Sequence, residues 1–472
     1  MFWHATWYNT PETQGGCHLP YNFYPVNRDQ LFLLPQSMRE WLPSDHLVWF
    51  VIDAVAQMDL AKFYARYRID GLGQTAYEPS MMVTLLLYGY CVGQRSSRQI
   101  QRLCEQDAAF RIASGDLAPG FNAIARFRRA HMDAISGLFL EVLKLCKAAG
   151  LAKVGIVALD GTKVKANAAL DSNREYAWLA KEVEKMLAEA DSTDHKEDGL
   201  FGADRRGDEL PEDLRDPKSR LARLKECKER LERDAAAAAA LQQAKIDQRT
   251  REESEAGVEK NGRKLAPPDA TPDPKATANV TDPDSRIMKT RQGYVQGYNA
   301  QAVVNEHQVI LSCAVTQEAN DVQQLHPMID RTQANLAAAG IAKTIGVLLA
   351  DAGYWSEKNM LEAEDGDPEL IIATLKDYKQ RLAARMAPAP RGRMPKNMNV
   401  RDWMERKLLT KRGRSLYKLR GAIVEPIFGQ TKDVRDCDNF LMRGIYLADG
   451  EWTLICTTHN LLKLWRKGNT TR

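Results

Sequence analysis

The sequence predicts an α/β protein in which a helical N-terminal domain precedes a mixed sheet that is flanked by helices. Three observations lead to this fold class. Apolar residues recur at helical spacing up to about Gly150, and two short apolar runs, VGIVALD and IGVLLAD, are typical of buried strands. Between those two runs, 51 of the 120 residues from 171 to 290 are charged, which indicates an exposed insertion. We therefore predict a charged helical insertion within the α/β domain.

The predicted boundaries divide the 472 residues into three parts. Residues 1–150 form the helical N-terminal domain. Residues 151–170 and 285–472 form the α/β domain. Residues 171–284 form the insertion, with two long helices and a linker rich in Pro, Asp and Lys.

Residues that typically begin or end helices predict the helix boundaries in the N-terminal domain. A buried helix opens at Pro79 and ends at Gly93, Ser96 or Ser97 caps the next helix, and Asn122 caps a long helix that reaches Gly150. The bundle is expected to display six arginines, which either contact DNA or form an ordinary solvated face: Arg95, Arg98, Arg102, Arg126, Arg128 and Arg129.

The α/β part follows the order β, ββ, α, β, α, β, α once the insertion is left out. The elements are the strand VGIVALD, the hairpin strands GYNAQAVVN and QVILSCAVT, a helix capped by Asn320–Asp321, the strand IGVLLAD, a short helix after Ser356, the strand ELIIATL and the last helix TLICTTHNLLKLWRK. This order predicts a mixed sheet flanked by helices.

Composition excludes several classes of protein. The net charge is only +4, but residues 391–420 carry eleven Lys and Arg against Asp402 and Glu405, which favours a polyanionic partner. The eight cysteines contain no CxxC pair and are expected to be reduced thiols. No apolar stretch is long enough to cross a bilayer, and the first residues lack the pattern of a secretion signal, so a cytoplasmic, nucleoid-associated protein is expected.

Each of the two buried strands finishes on a carboxylate, Asp160 in one and Asp351 in the other. Ligands gather at the carboxyl ends of such strands, and two adjacent carboxylates favour a hard divalent cation such as Mg²⁺. Glu425 is the best candidate for a third acid. Two alternatives stay open: each Asp only caps the turn that follows it, or the third acid is Asp433, Asp436 or Asp438.

Pro426 leaves the geometry around Glu425 open. If the segment is one helix, Glu425 and Lys432 lie two turns apart on the same face. Because a proline inside a helix loses a hydrogen bond, the helix could instead begin at Pro426 with Glu425 as its cap.

Four blocks of this sequence resemble the DDE transposases of bacterial insertion sequences, in particular the branch named after insertion sequence eleven-eighty-two. The blocks are LDGTKVKANA, TDPDSRIMKTRQGYVQGYNAQAVV, LADAGYWSEKN and YKLRGAIVEPIFGQTK, and residues 76–110 are similar to the helical N-terminal domain of that family. The resemblance covers about residues 20–465 apart from the insertion. It implies an RNase H-like fold for the α/β domain.

The resemblance also implies the parts of an active site. Asp160, Asp351 and Glu425 would be the catalytic residues and would hold two Mg²⁺ or Mn²⁺ ions for phosphoryl transfer. A further set would bind DNA: Lys163, Lys165, Trp355, Arg414, Tyr417, Arg420 and Lys432. Tyr354 or Trp355 would stack on a displaced base, although core packing explains these two aromatics equally well.

The expected function is that of a transposase that cuts at the terminal inverted repeats of its element and joins those ends to target DNA as a homodimer. Two alternatives remain: a metal-dependent nuclease of the same fold without strand transfer, and a non-catalytic DNA-binding protein. The sequence has no GxxxxGK[ST] loop, no HExxH and no complete dinucleotide-binding turn, so ATP, zinc-protease and dinucleotide chemistry are not implied.

Overall fold

The structure of the protein is a computed structural model. It describes residues 37–67, 75–186, 220–259, 265–290, 292–363, 366–375, 382, 386–393, 395 and 397–470. The chain divides into two compact units, Met1–Pro43 and Ser44–Arg472. In the first unit the described residues contain the short 3-10 helix Met38–Glu40. The remaining elements belong to the second unit.

The helices before residue 150 start and stop near the residues that the sequence indicated. Glu78 caps the buried helix that begins at Pro79, and Ser96 stands at the cap position of the next helix. Among the described residues before position 150, the seven α-helices are α1 (Leu47–Ala56), α2 (Ala61–Tyr64), α3 (Pro79–Cys91), α4 (Ser97–Gln106), α5 (Ala108–Ala113), α6 (Phe121–Ala130) and α7 (Met132–Ala148).

One prediction in this region is wrong, because the long helix from Asn122 to Gly150 is two helices. The backbone of His131 leaves the helical conformation, and α6 ends where α7 begins. The His131 ring packs on Phe127 and Phe63, with ring centroids 4.4 and 5.4 Å away. This local packing favours the break over a continuous helix.

The expectation that all six arginines of the bundle lie on its surface is also wrong. Arg95 and Arg128 are buried, whereas Arg98, Arg102, Arg126 and Arg129 are exposed. Arg95 Nη1 donates to Glu451 Oε1 at 3.2 Å, and Arg128 Nη1 donates to the Tyr90 hydroxyl at 3.0 Å. Arg95 therefore ties the helical bundle to the C-terminal part of the chain, whereas Arg128 is bound within the bundle, on α3. Both side chains have partners, as buried charges require.

The prediction of a mixed sheet is confirmed. Its strands are β1 (Ile156–Lys165), β4 (Arg286–Thr290), β5 (Gly293–Asn305), β6 (Ile310–Thr316), β7 (Val347–Ala350) and β8 (Glu369–Ile372). The order is β4-β5-β1-β7-β8, and β6 pairs with the same edge of β5 as β4. β1 is antiparallel to β5 and parallel to β7, and β7 is parallel to β8.

The described part of the insertion has its own small core. It contains β2 (Asn173–Glu175), helical residues 176–186 (α8), the 37-residue helix α9 (Arg220–Ala256) and β3 (Thr277–Asn279), which pairs with β2. The core consists of Leu179, Val183, Leu224, Cys227, Leu231 and Ala278. The core thus buries apolar residues of both helical segments within the insertion, and the segment predicted as a linker contributes β3 to it.

The other helices cover the sheet. They are α10 (Leu325–Ala338), α11 (Glu357–Leu361), α12 (Val400–Leu409), α13 (Lys411–Gly429) and α14 (Ile445–Thr470), and a π-helical turn, Gln430–Val434, continues α13. α14 packs on β6, α3 and α7, while α13 packs on β1, β7 and β8. In the part of the chain that the structure describes, no helix has the length and apolar character needed to cross a membrane.

Candidate active site

The two strand acids lie next to each other. β1 and β7 run parallel with Leu159 opposite Ala350, so Asp160 of β1 lies next to Asp351, the first residue after β7. The two strands are therefore neighbours, which is the condition for the two carboxylates to lie side by side. β1 does not end at Asp160, however, but continues to Lys165, because β5 pairs with it as far as that residue.

Asp160 is a strongly perturbed carboxyl group. Burial raises its pKa to about 6, the contact with Arg420 lowers the pKa, and the nearby charge of Asp351 raises it. Its Oδ1 atom accepts the main-chain N–H of Gly161 at 2.9 Å. A carboxylate that is buried beside another one is costly unless a cation compensates it.

Arg420 supplies such a cation from α13. Its Nη1 atom donates to Asp160 Oδ2 at 2.8 Å, and its Nη2 atom lies 3.8 Å from Glu425 Oε1. Arg420 therefore lies between two of the three predicted acids. The Glu425 side chain is 68% exposed, so this acid lies at the solvent side of the site.

The helix that carries both residues continues through Pro426. α13 spans Lys411–Gly429, so the interpretation of a helix that begins at Pro426 is wrong. A proline cannot donate to the main-chain oxygen four residues earlier, here that of Ala422. The side-chain amide of Gln308, from the β5–β6 turn, donates to this oxygen at 2.9 Å. The contact from another element compensates the hydrogen bond that the proline removes.

Three of the predicted phosphate-binding lysines already contact protein atoms. Lys432, on the π-helical turn, donates to the main-chain oxygen of Lys163 at 2.7 Å, and burial lowers the pKa of Lys432. Lys163 Nζ lies 3.4 Å from Asp321, and the exposed Lys165 pairs with Asp438 at 2.9 Å. Lys163 and Lys165 belong to β1, the strand that carries Asp160, and Lys432 contacts this strand.

The rival third acids are arranged differently from Glu425. Asp438 pairs with Lys165. The negative charges of Asp433 and Asp438 raise the pKa of Lys432, against the effect of its burial. Asp436 adopts a left-handed turn conformation with φ 52°. Glu425 shares the Arg420 guanidinium with Asp160, which supports Glu425 as the third acid.

Of the two aromatics after Asp351, one belongs to the core. Tyr354 is fully buried and its hydroxyl donates to Gln301 Oε1. Burial raises the pKa of Tyr354 well above its usual value. Trp355 is half-buried. Core packing therefore accounts for Tyr354 and leaves Trp355 as the candidate for stacking on a base.

Part of the basic stretch is used within the chain. Arg412 makes a bidentate contact with Glu369, with distances of 2.6 and 2.5 Å, and lowers the pKa of that carboxyl to about 2. Lys407 also pairs with Glu369 at 3.0 Å. Arg414 donates to the main-chain oxygen of Ala387 at 2.6 Å. The residues of this stretch that are exposed and polar, such as Lys411 and Lys418, remain the better candidates for DNA contacts.

Sequence reasoning missed three polar side chains beside the strand acids. Asn299 and Gln301 of β5 are fully buried, and their amide groups donate to Asp321 Oδ1 at 2.7 and 2.9 Å. Asp321 stands, as the sequence predicts, at the cap position of the helical segment, which opens with the 3-10 turn Val322–Gln324 and continues as α10. Its side chain makes no capping hydrogen bond, however, and accepts the two amide groups of β5 instead. The available signal was the alternation of polar residues in GYNAQAVVN, a strand that is otherwise apolar.

The carboxylates of Asp160, Asp351 and Glu425 are donors of the type that binds divalent cations, but their present arrangement does not form a complete metal-binding site. Carboxylate oxygens are hard donors of the kind that Mg²⁺ and Mn²⁺ prefer. Asn299 Oδ1 is a buried oxygen without a hydrogen-bond partner among the described residues. Within those same residues, no three carboxylate, imidazole or thiol side chains gather closely enough, as they stand, to hold a metal ion. Arg420 contacts Asp160 instead.

Comparison with known protein families gives two matches. Residues 36–130 match the family described as Transposase domain (DUF772), and residues 268–461 match the family described as Transposase DDE domain. Asp351 and Glu425 lie inside the second match, whereas Asp160 lies between the two. No curated protein and no solved structure matches the chain.

Proposed function

Since the chain is a DDE transposase of an insertion sequence, we propose that Asp160, Asp351 and Glu425 are the acids with which it cleaves and transfers DNA strands. The observation that carries this proposal is the parallel pairing of β1 with β7, which puts Asp160 next to Asp351. The helix α13 supports Glu425, because Arg420 on the same helix contacts both Asp160 and Glu425. The mixed sheet flanked by helices agrees with an RNase H-like DDE domain.

Transposases of this family generally use divalent metal ions. We propose two Mg²⁺ or Mn²⁺ ions, with Asp160, Asp351 and Glu425 as the residues that would hold them. Bound there, the ions would activate the attacking water or 3′-hydroxyl and stabilise the leaving oxygen of the phosphodiester. Arg420 would then exchange Asp160 for a DNA phosphate, because a guanidinium matches both carboxylate and phosphate geometry.

The DNA substrate would lie along the rim that these side chains form. Lys163, Lys165 and Lys432 extend the site on the β1 side, where they would bind phosphates close to the scissile bond. Tyr417, Arg414 and Arg420 lie on α13 and would bind the neighbouring backbone, with Trp355 available for stacking on a base. Contacts of this kind position DNA without reading its sequence.

We also propose that the helical N-terminal domain binds the element ends and that two copies of the chain hold the two ends together. The exposed Arg98, Arg102, Arg126 and Arg129 support the first point. The second rests on the reaction, since joining both ends to one target requires both ends in a single complex.

A strand-transfer assay separates this function from its two alternatives. The full chain is incubated with DNA that carries the element's terminal inverted repeats, a circular target DNA and Mg²⁺ or Mn²⁺. Joined products support the transposase reaction proposed here. Nicked or cut products without joining would indicate a nuclease, and binding without any cleavage would indicate a non-catalytic DNA-binding protein.

A further inference from the structure

A fourth carboxylate, Asp321, reaches the acid site from the segment before α10. Its Oδ1 atom accepts the amide groups of Asn299 and Gln301 at 2.7 and 2.9 Å and lies 3.4 Å from Lys163 Nζ. Asn299 and Gln301 stand on β5, opposite Lys163 and Gly161 of β1. The sheet itself therefore fixes the position of Asp321 beside the strand that carries Asp160.

Two glycines leave the space that Asp321 enters. A Cβ atom on Gly161, the residue after Asp160, would lie 2.9 Å from Asp321 Oδ1 and 2.4 Å from the amide nitrogen of Gln301. A Cβ atom on Gly353, two residues after Asp351, would lie 2.9 Å from Asp351 Oδ1 and 3.3 Å from Asp321 Oδ2. Asp321 and Asp351 thus border the same small space, which any larger residue at 353 would fill.

An unpartnered oxygen faces this region. Asn299 is fully buried, and its Oδ1 atom has no hydrogen-bond partner among the described residues. Its orientation follows from the amide nitrogen, which donates to Glu318 O at 3.0 Å and to Asp321 Oδ1 at 2.7 Å. The oxygen lies 3.1 Å from the position of a Cβ on Gly161. A buried carbonyl oxygen without a donor destabilises the folded protein, and a bound cation would offset this cost.

The charges around this space are unbalanced. Four carboxylates, those of Asp160, Asp321, Asp351 and Glu425, belong to the proposed acid site. Within the described chain, ion pairs with two cationic side chains, Arg420 and Lys163, involve Asp160, Asp321 and Glu425. Neighbouring carboxylates repel each other unless a cation compensates them. The excess of negative charge and the orphan oxygen both indicate a ligand that is a small, hard cation.

We propose that Asp321 is an additional metal-ligating residue, which binds a divalent cation together with Asp351 at the space beside Gly353. This inference rests on the proposed function, because it concerns the same acid site. Asn299 Oδ1 completes the set as a neutral oxygen donor, and Gln301 holds the Asp321 carboxylate in place.

The test is Mn²⁺ binding to the full chain without DNA, measured by titration calorimetry, which is independent of catalysis. Asp321→Asn should weaken Mn²⁺ binding at least tenfold, because ligand losses of this kind typically cost 10- to 100-fold in affinity. Asp330→Asn, at an exposed position of α10, is the matched control and should bind Mn²⁺ as the wild type does. Wild-type affinity in Asp321→Asn would overturn the inference, even if that variant unfolds at a lower temperature.

A second variant keeps the test valid if Asp321→Asn fails to fold. Gly353→Ala removes no carboxylate group but adds a Cβ 2.9 Å from Asp351 Oδ1 and 3.3 Å from Asp321 Oδ2, which fills the space between them, so it should also weaken Mn²⁺ binding. Gly137→Ala, on α7 where an added Cβ meets no atom within 4 Å, is its control. Unchanged Mn²⁺ affinity in Gly353→Ala would contradict the proposed site.

Two more variants separate the remaining explanations. If Asp321 acted only by pairing with Lys163, the double variant Lys163→Met with Asp321→Asn would recover wild-type Mn²⁺ affinity, and the inference would be wrong. Asp351→Asn reports on the proposed function itself. If Asp351→Asn binds Mn²⁺ with wild-type affinity, the proposal of a metal site at these acids is wrong. If Asp351→Asn loses Mn²⁺ binding while Asp321→Asn keeps it, only the proposed role of Asp321 is wrong.

Discussion

Arg420 of α13 and Asp160 of β1 form an ion pair, with 2.8 Å between Arg420 Nη1 and Asp160 Oδ2, although the two residues are 260 positions apart in the chain. The pair joins the two halves of the candidate site, because Arg420 also lies near Glu425. The guanidinium compensates the buried carboxylate of Asp160. This relationship ties the position of α13 to the edge of the sheet where the strand acids lie.

Substitution of either strand acid should stop the chemistry and leave DNA binding. Asp160→Asn and Asp351→Asn each remove one carboxylate charge at almost constant volume, and we expect strand cleavage to fall by at least three orders of magnitude. Binding to element ends should change little, because phosphate contacts dominate the affinity. A gel assay of nicking, with Asp330→Asn as control, checks this. Nicking at the wild-type rate in either variant would show that the acids are assigned wrongly.

Replacement of Arg420 should impair cleavage without unfolding the protein. In Arg420→Gln the site loses a charged phosphate ligand, and we expect the cleavage rate to fall by roughly 10²- to 10³-fold, as when an electrostatic donor is removed from other active sites. Arg249→Gln breaks a pair with Glu253 on α9 of the insertion and serves as the control. If both variants cleave DNA equally fast, Arg420 does not act in the reaction.

Two lysines of the basic stretch should dominate its salt dependence. Lys411 and Lys418 are exposed on α13, whereas Arg412 is held by Glu369. Lys411→Ala and Lys418→Ala should each reduce the slope of log K against log salt by about 0.9, the value for one phosphate contact. Arg412→Ala should change this slope less. Equal slopes in all three variants and the wild type would locate the DNA elsewhere.

The buried His459 should make the protein less stable in acid. Its Nε2 atom lies 2.9 Å from the main-chain oxygen of Gln308, and burial, together with the charges of Arg435, Lys463 and Arg466, lowers its pKa to about 3. The unfolded chain takes up the proton at a higher pH than the folded one. The free energy of unfolding should therefore fall as the pH drops from about 6.5 towards 3, by up to about 1.4 kcal/mol per pH unit.

A comparison of variants isolates this contribution from that of the carboxyl groups. His459→Gln removes the titrating ring but keeps a side chain that can donate to Gln308. The difference in unfolding free energy between the wild type and this variant should therefore depend on pH below about 6.5. His326→Gln, at a half-buried position, is the control. A difference that stays constant with pH would contradict the assignment.

The outer part of the insertion should be removable. Gln242 on α9 donates to the main-chain oxygen of Ala266 at 3.1 Å, so a short loop can join these positions in place of residues 243–265. This variant keeps the small core of the insertion and should unfold cooperatively near the wild-type temperature. Deletion of 180–280 should instead destabilise the protein, because Ala278 belongs to that core and Asn279 donates to the main-chain oxygen of Ala169 at 2.8 Å. Calorimetric unfolding curves distinguish the two outcomes.

The hydrophobic pattern of the sequence determined the class of fold and the strand acids. Short apolar runs rich in β-branched residues, such as VGIVALD and IGVLLAD, favour buried strands, and each run ends on an aspartate. Helix caps such as Glu78 and Ser96 depend on adjacent residues, and Ser96 was therefore foreseen from the sequence. These features depend on residues that are close together in the sequence, so the sequence alone is enough to predict them.

Only the tertiary structure decided which side chains meet at the site. The continuation of α13 through Pro426 depends on Gln308 from a distant turn, and the break at His131 depends on ring packing between elements. Asp321 had the local pattern of a helix cap, yet two buried amides of β5 hold its carboxylate instead. Such contacts bring together groups that are far apart in the chain, and their free energies decide between local alternatives that the sequence leaves nearly equal.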